Sequence, residues 1–199
     1  MIEGAIRLNR FGLEQGKLWP ALLMAVAVFA PVVTWITANH LVPGQEELAP
    51  DYEIELSATP PPMAPPDTGS VAFKIPNEGW SIETSESSTK SVTLVHSPLV
   101  LTVDAVAGVE DLTVLFNRKK RDLADAKPSY LVTDSKPYRP TDDLKGLRGD
   151  LTGERYGGAL IVVGKGSVAA VVEVTAPLGR LDGEFDDVDD MLGSLEVTT

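Results

Sequence analysis

Residues 159–175 read Ala-Leu-Ile-Val-Val-Gly-Lys-Gly-Ser-Val-Ala-Ala-Val-Val-Glu-Val-Thr. Two apolar, β-branched runs flank Gly164-Lys165-Gly166. Runs of this length around a glycine pair predict two buried strands joined by a tight hairpin. A hairpin of long strands implies antiparallel pairing, and the flanking sequence extends it. Residues 144–154 read as another strand, and 130–133 as a short one after Lys127-Pro128. Upstream, 99–107 is a strong strand, and 71–75, 81–86 and 91–96 are weaker ones. Asn77-Glu78-Gly79 is a turn leading to Trp80, and Ser87-Ser88-Thr89 is a polar loop.

Between these strands the hydrophobic period changes. In 109–126, Val109, Leu112, Phe116 and Leu123 share one helical face, with Leu115 flanking it. Residues 182–195 repeat the pattern, with Phe185, Val188, Leu192 and Leu195 as the buried set. The order strands, helix, strands, helix predicts an α+β domain over 67–199, a mostly antiparallel sheet packed with helices. About 130 residues suffice to bury a core without disulfides, and the chain has no cysteine.

The N-terminal part has a different composition. Residues 18–38 read LWPALLMAVAVFAPVVTWITA and carry no charge. About 20 apolar residues span the hydrocarbon core as a helix. The run exceeds the roughly 7–15 apolar residues of a secretory signal, and Ile36-Thr37-Ala38 makes a poor cleavage site. A retained transmembrane helix over 18–42 is therefore expected. Trp19 and Trp35 lie near the interfaces, where indoles concentrate. Ala21 and Ala25 form a small-residue pair that lets a second helix approach closely, and Pro31 extends that docking surface. Arg7, Arg10 and Lys17 precede the run, and the next basic residue is Lys74. Positive charge stays inside, so residues 1–17 form a cytoplasmic tail and the C-terminal domain is extracytoplasmic, at the cell membrane. Residues 43–66 are rich in proline and acid, with Pro60-Pro61-Pro62 and Pro65-Pro66. They read as a stiff, extended linker rising about 3.1 Å per residue.

Chemistry-bearing patterns are sparse. A net charge of −12, from 17 basic and 29 acidic residues, excludes a nucleic-acid binder, which needs a basic footprint. There is no Gly-x-Ser-x-Gly elbow, and Gly164-Lys165-Gly166-Ser167 lacks the full phosphate-loop spacing. His96 has no sequence partner for catalysis and reads as structural. The acids of 182–190 fail the calcium-loop signature, with Asp187 at position six and Gly193 at position twelve. On a helix they face water. No metal, cofactor or catalytic group is expected. Arg118-Lys119-Lys120-Arg121 is the only basic run and a candidate contact for lipid or an acidic partner; on a helix such a run also reads as a solvated face.

An opening strand, then Ile75-Pro76-Asn77-Glu78-Gly79-Trp80, a central helix, a long strand pair and a terminal helix ending in Leu192-Gly193-Ser194-Leu195 resemble the PsbP-like fold. Actinobacterial envelope proteins of the LpqN and LpqT type share that outline. The likeness covers residues 70–197. It implies a non-enzymatic accessory or adaptor role, and the whole plan looks like single-pass accessory subunits of actinobacterial respiratory supercomplexes. Its partners are then integral membrane proteins of a larger complex and the lipid bilayer. An alternative is an envelope lipid- or glycolipid-binding module, with an apolar pocket lined by Phe73, Trp80 and Phe116.

Overall fold

The runs around Gly166 form the centre of the fold. Tyr156–Lys165 and Val168–Pro177 pair antiparallel along their full length, and Gly166 turns the chain at a φ of +60°. The turn is Gly166-Ser167, two residues beyond the expected start. Gly164 and Lys165 remain in the strand, where a Cβ at Gly164 would meet Leu112 Cδ2 at 2.9 Å. The computed structural model describes residues 44–58, 69–180 and 185–199. The expected membrane span and its docking residues Trp19, Ala21, Ala25, Pro31 and Trp35 lie outside the described residues, as do residues 59–66. Among the described residues no helix is long and apolar enough to cross a membrane.

In chain order the elements are β1 (Gln45–Glu47), β2 (Glu53–Ala58), β3 (Gly69–Lys74), β4 (Ser81–Glu83), β5 (Ser91–His96) and β6 (Leu99–Ala107). Then come α1 (Leu112–Ala126), β7 (Leu131–Val132), β8 (Lys136–Tyr138), β9 (Lys145–Thr152), β10 (Tyr156–Lys165) and β11 (Val168–Pro177). Last are α2 (Phe185–Gly193) and β12 (Glu196–Thr198). The large sheet runs β1-β4-β5-β6-β11-β10-β9-β7, with β8 also pairing β9. A small sheet runs β12-β3-β2. Every pairing is antiparallel. The α+β class and the mostly antiparallel sheet match the sequence reading.

Strand period decides the layers. Ala159, Ile161 and Val163 of β10 and Ala170, Val172 and Val174 of β11 face a core shared with the small sheet and α2. Their neighbours Leu160, Val162, Ala169 and Val171 face a second core under α1. Both faces of these strands are dry, which is why they read as continuous apolar runs rather than alternating ones. Leu115, Phe116 and Leu123 of α1 are buried, while Val109 and Leu112 sit half-buried at the rim.

The expected boundary at residue 67 moves to Gly44. Residues 45–47 and 53–58 are strands of the domain rather than linker. In β2 Ile54, Leu56 and Ala58 point into the core while Glu53, Glu55 and Ser57 are exposed. The acids that looked like linker composition occupy the solvent side of an alternating strand. The C-terminal helix ends at Gly193, and residues 196–198 add β12 to β3.

Asp111 caps α1. The amide of Thr113 donates to its carboxylate at 2.6 Å, which holds the carboxyl below its ordinary value of 3.8. A depressed carboxyl stabilises the fold fully above its unfolded value and loses that contribution as pH falls through the folded one. Acidification below about pH 4 is therefore expected to loosen the start of α1. Asp111→Asn keeps a capping oxygen and removes this acid dependence, and Asp111→Ala removes both. Hydrogen exchange at the Thr113 amide across the pH range checks this.

Candidate interaction surface

The polar side chains of the domain mostly tie layers together, and this sorts the residues singled out from the sequence. Trp80 is fully buried. Its indole N–H donates to Asn77 Oδ1 at 3.0 Å, and Asn77 Nδ2 donates to Asp187 Oδ1 of α2 at 2.9 Å. His96 stacks on Trp80 with centroids 5.0 Å apart, and its Nδ1 lies 3.8 Å from Asp187 Oδ2. Gly79 takes φ +92°, and a Cβ there would press on the His96 ring at 3.1 Å. The Asn77–Trp80 turn thus docks α2 onto the sheet, and His96 sits in that joint.

The acids of α2 do not all face water. Asp187 serves the joint just described. Asp189 accepts from the Tyr138 hydroxyl at 2.9 Å and lies 3.7 Å from Arg148 Nη1. Burial first, then the Asp189 hydrogen bond and charge, push the Tyr138 hydroxyl well above its ordinary value, so it stays protonated and donates. The Arg148 guanidinium also lies 4.8 Å from the Phe185 ring centroid, a cation–π distance. These partners are 110 and 51 residues away in sequence for Asp187 and Asp189 respectively. No local pattern announces them.

The basic run splits in two. Lys119 Nζ donates to Asp104 Oδ2 at 2.8 Å, and Ser91 Oγ donates to the other oxygen, Asp104 Oδ1, at 2.6 Å. Lys120 Nζ bonds Asp134 Oδ1 at 3.1 Å and the Thr133 carbonyl at 3.3 Å. Only Arg118 and Arg121 are exposed on the outer stripe of α1. Helical phase carried this signal: Lys119 lies three residues after Phe116 and four before Leu123, on the inward face.

The apolar pocket expected between Phe73, Trp80 and Phe116 is not formed. Phe73 and Trp80 belong to the core on one face of the large sheet and Phe116 to the core on the other, each at 1% exposure or less. Solid packing on opposite faces leaves them no common cavity.

What stays open is half of the outer sheet face. The backbone of α1 packs over β9, β10 and β7, leaving β5 and β6 beside it. The register places Thr93 opposite Thr102 and Val95 opposite Val100, with Glu173 and Thr175 next on β11. Val100 is 37% exposed. Along its border with α1 runs a groove of about 230 Å³, walled by Thr102, Asp104, Lys119, Leu123, Lys127 and Glu173. Lys127 Nζ reaches Glu173 Oε1 at 3.0 Å. Both groove lysines are satisfied by carboxylates of the sheet, so the groove is pre-organised rather than charged. Thr93 is itself buried, and the patch left beside the helix is formed by Val95, Val100 and Thr102; such a patch suits protein docking better than catalysis.

No protein-family model and no curated protein matches the chain. Among solved structures, a cyanobacterial PsbP from Synechocystis sp. PCC 6803 aligns at 16% identity and a TM-score of 0.47, over 64% of this chain and 86% of that one. A point mutant of protein Mog1 aligns at 9% identity and 0.46, over 72% and 95%. A protein from Bacteroides thetaiotaomicron VPI-5482 aligns at 15% identity and 0.43, over 63% of this chain, which spans 44% of that protein's length. These are partial likenesses of outline.

Proposed function

We propose that this chain is a non-enzymatic, single-pass membrane protein and an accessory or stabilising subunit of a larger membrane assembly. In its most concrete form the assembly is an actinobacterial respiratory cytochrome bcc–cytochrome oxidase supercomplex. The span at 18–38 anchors the chain with its N-terminus cytoplasmic, and the Gly44–Thr199 domain is extracytoplasmic. The observation that supports a docking role is the half-open face of β5 and β6. There α1 does not cover the strands, and Val100 is exposed on β6.

Affinity purification of the intact chain through its C-terminus, in mild detergent, tests the reading. A stoichiometric integral membrane partner is expected, and recovery of the chain alone overturns it. Val100→Arg places a charge on the open face, near the β5–β6 turn, without touching a core. It is expected to lower partner recovery by about tenfold or more, as loss of a central contact does, with unchanged thermal unfolding. Undiminished recovery moves the docking surface elsewhere.

A further inference from the structure

The outer face of the large sheet has room for two helices and carries one. Neighbouring strands lie about 4.8 Å apart and packed helices about 8–10 Å, so each helix takes up about two strands. α1 rests chiefly on β10 and then on β9. It runs along the strands, with Leu112 against Gly164 near one end and Lys127 on Glu173 at the other. In the order β9-β10-β11-β6-β5 the next such berth falls over β6. The outward residues there are small or β-branched, so the floor is low and flat. Register sets Ser81, Val95, Val100 and Thr175 in one row across β4, β5, β6 and β11, with Thr102 two residues along β6. The groove of about 230 Å³ beside α1 lies between the occupied berth and the open one, and Ala126 keeps its helical wall shallow.

The charge bordering the open berth is negative after its ion pairs are counted. Asp104 and Glu173 are matched by Lys119 and Lys127. On the far side Glu47 of β1 stands opposite Ser81, and Glu83 follows on β4. On the near side Asp122 lines the groove from α1. Glu47, Glu83 and Asp122 make no ion pair among the described residues. Glu83 accepts instead from Gln45 Nε2 at 3.3 Å and from Ser85 Oγ at 2.8 Å. Arg118, one turn before Asp122, forms no ion pair with it among the described residues. Glu86 and Lys90, both exposed in the β4–β5 loop, offset each other. Acids without a cation thus stand along both long sides of the berth.

We propose that the berth over β6 seats an amphipathic helix of a partner protein, lying beside α1 with its apolar stripe on Val95 and Val100 and basic residues along both flanks. The proposal rests on the docking reading above and names what docks. β5 is six residues long, about 20 Å, which matches about three to four helical turns. An apolar stripe at i, i+3, i+4 and i+7 covers that length. Lysines or arginines beside it meet Glu47 and Glu83 on one side and Asp122 on the other. An acidic helix would be repelled from both sides. An added strand has no edge to pair with, because β5 and β6 each have a neighbour on either side. A second copy of this face would bring the same acidic border against itself.

The test is photo-crosslinking of the intact chain in its native membranes. Val95 or Thr175 is replaced by a benzophenone amino acid, and mass spectrometry of the linked peptide identifies the captured segment. Both sites are expected to link to one segment of a partner, at positions three or four residues apart, with lysine or arginine on the flanking positions. Glu47→Lys with Asp122→Lys, both at exposed residues, is expected to lower the crosslink yield about tenfold, and added salt lowers the wild-type yield. Glu55→Lys with Glu196→Lys makes the same charge change on exposed residues of the small sheet and leaves the yield unchanged. Links to an extended or acidic segment, to residues 1–43 of this chain, to a second copy or to lipid overturn the proposal, as do equal yields from the two charge-reversed chains. No crosslink, while purification through the C-terminus still recovers a stoichiometric membrane partner, overturns the helix berth and leaves the accessory-subunit reading standing. Loss of both removes that reading as well.

Discussion

Trp80→Ala is expected to destabilise the domain by about 3–5 kcal/mol, the range for deleting a fully buried large aromatic. The indole has no solvent exposure, donates to Asn77 and stacks on His96. Its loss leaves a void beside His96 and strips Asn77 Oδ1 of its donor. Asn77 then has less reason to hold the geometry in which it donates to Asp187, so α2 loosens with the turn. Trp80→Phe refills part of the void but cannot donate, and falls between wild type and alanine. Urea unfolding followed by far-UV circular dichroism measures this. A stability loss for Trp80→Ala below about 1 kcal/mol, the ordinary cost of a random substitution, would mean that the joint is not a structural centre.

The second large effect lies across the sheet. Phe116→Ala is expected to cost about 3–5 kcal/mol, because the ring is fully buried and fills the space over β9. That space exists because residue 149 is glycine: a Cβ there would lie 2.7 Å from Phe116 Cζ and 3.0 Å from the Thr133 carbonyl oxygen. Gly149→Ala alone is expected to cost about 1–3 kcal/mol by overpacking. Combined with Phe116→Ala, the two should cost less than their sum, since the new methyl enters space the ring has left. A double-mutant cycle reads the coupling directly. Strict additivity would show that α1 is not seated on Gly149 through Phe116.

The sequence made the centre of this fold legible and its margins obscure, for identifiable reasons. Residues 99–107 form β6 over the range expected, because eight apolar or β-branched residues of nine leave little choice. Tyr156–Lys165 and Val168–Pro177 were visible because both their faces are dry. β2 was hidden because half of its residues are acidic or small and face water. β8 and β12 are three residues each, too short to show a period, and exist only through their partners. The candidate surface was legible only in part. The basic run was visible, but its split into two tethered lysines and two free-standing arginines depends on where Asp104 of β6 and Asp134 of the β7–β8 loop lie. The open face of β5 and β6 is a consequence of where α1 comes to rest, which no local pattern encodes.

The pairing of Ala58 with Gly69 changes what the proline run between them can do. A ten-residue segment whose two ends are clamped side by side cannot act as a ruler, whatever its stiffness. Lengthening it adds nothing to the chain's reach, and shortening it subtracts nothing. It is instead a closed handle on the small sheet, which makes the neighbourhood of Pro62 the natural place to splice in an epitope or a fluorescent reporter while β2 and β3 keep their register.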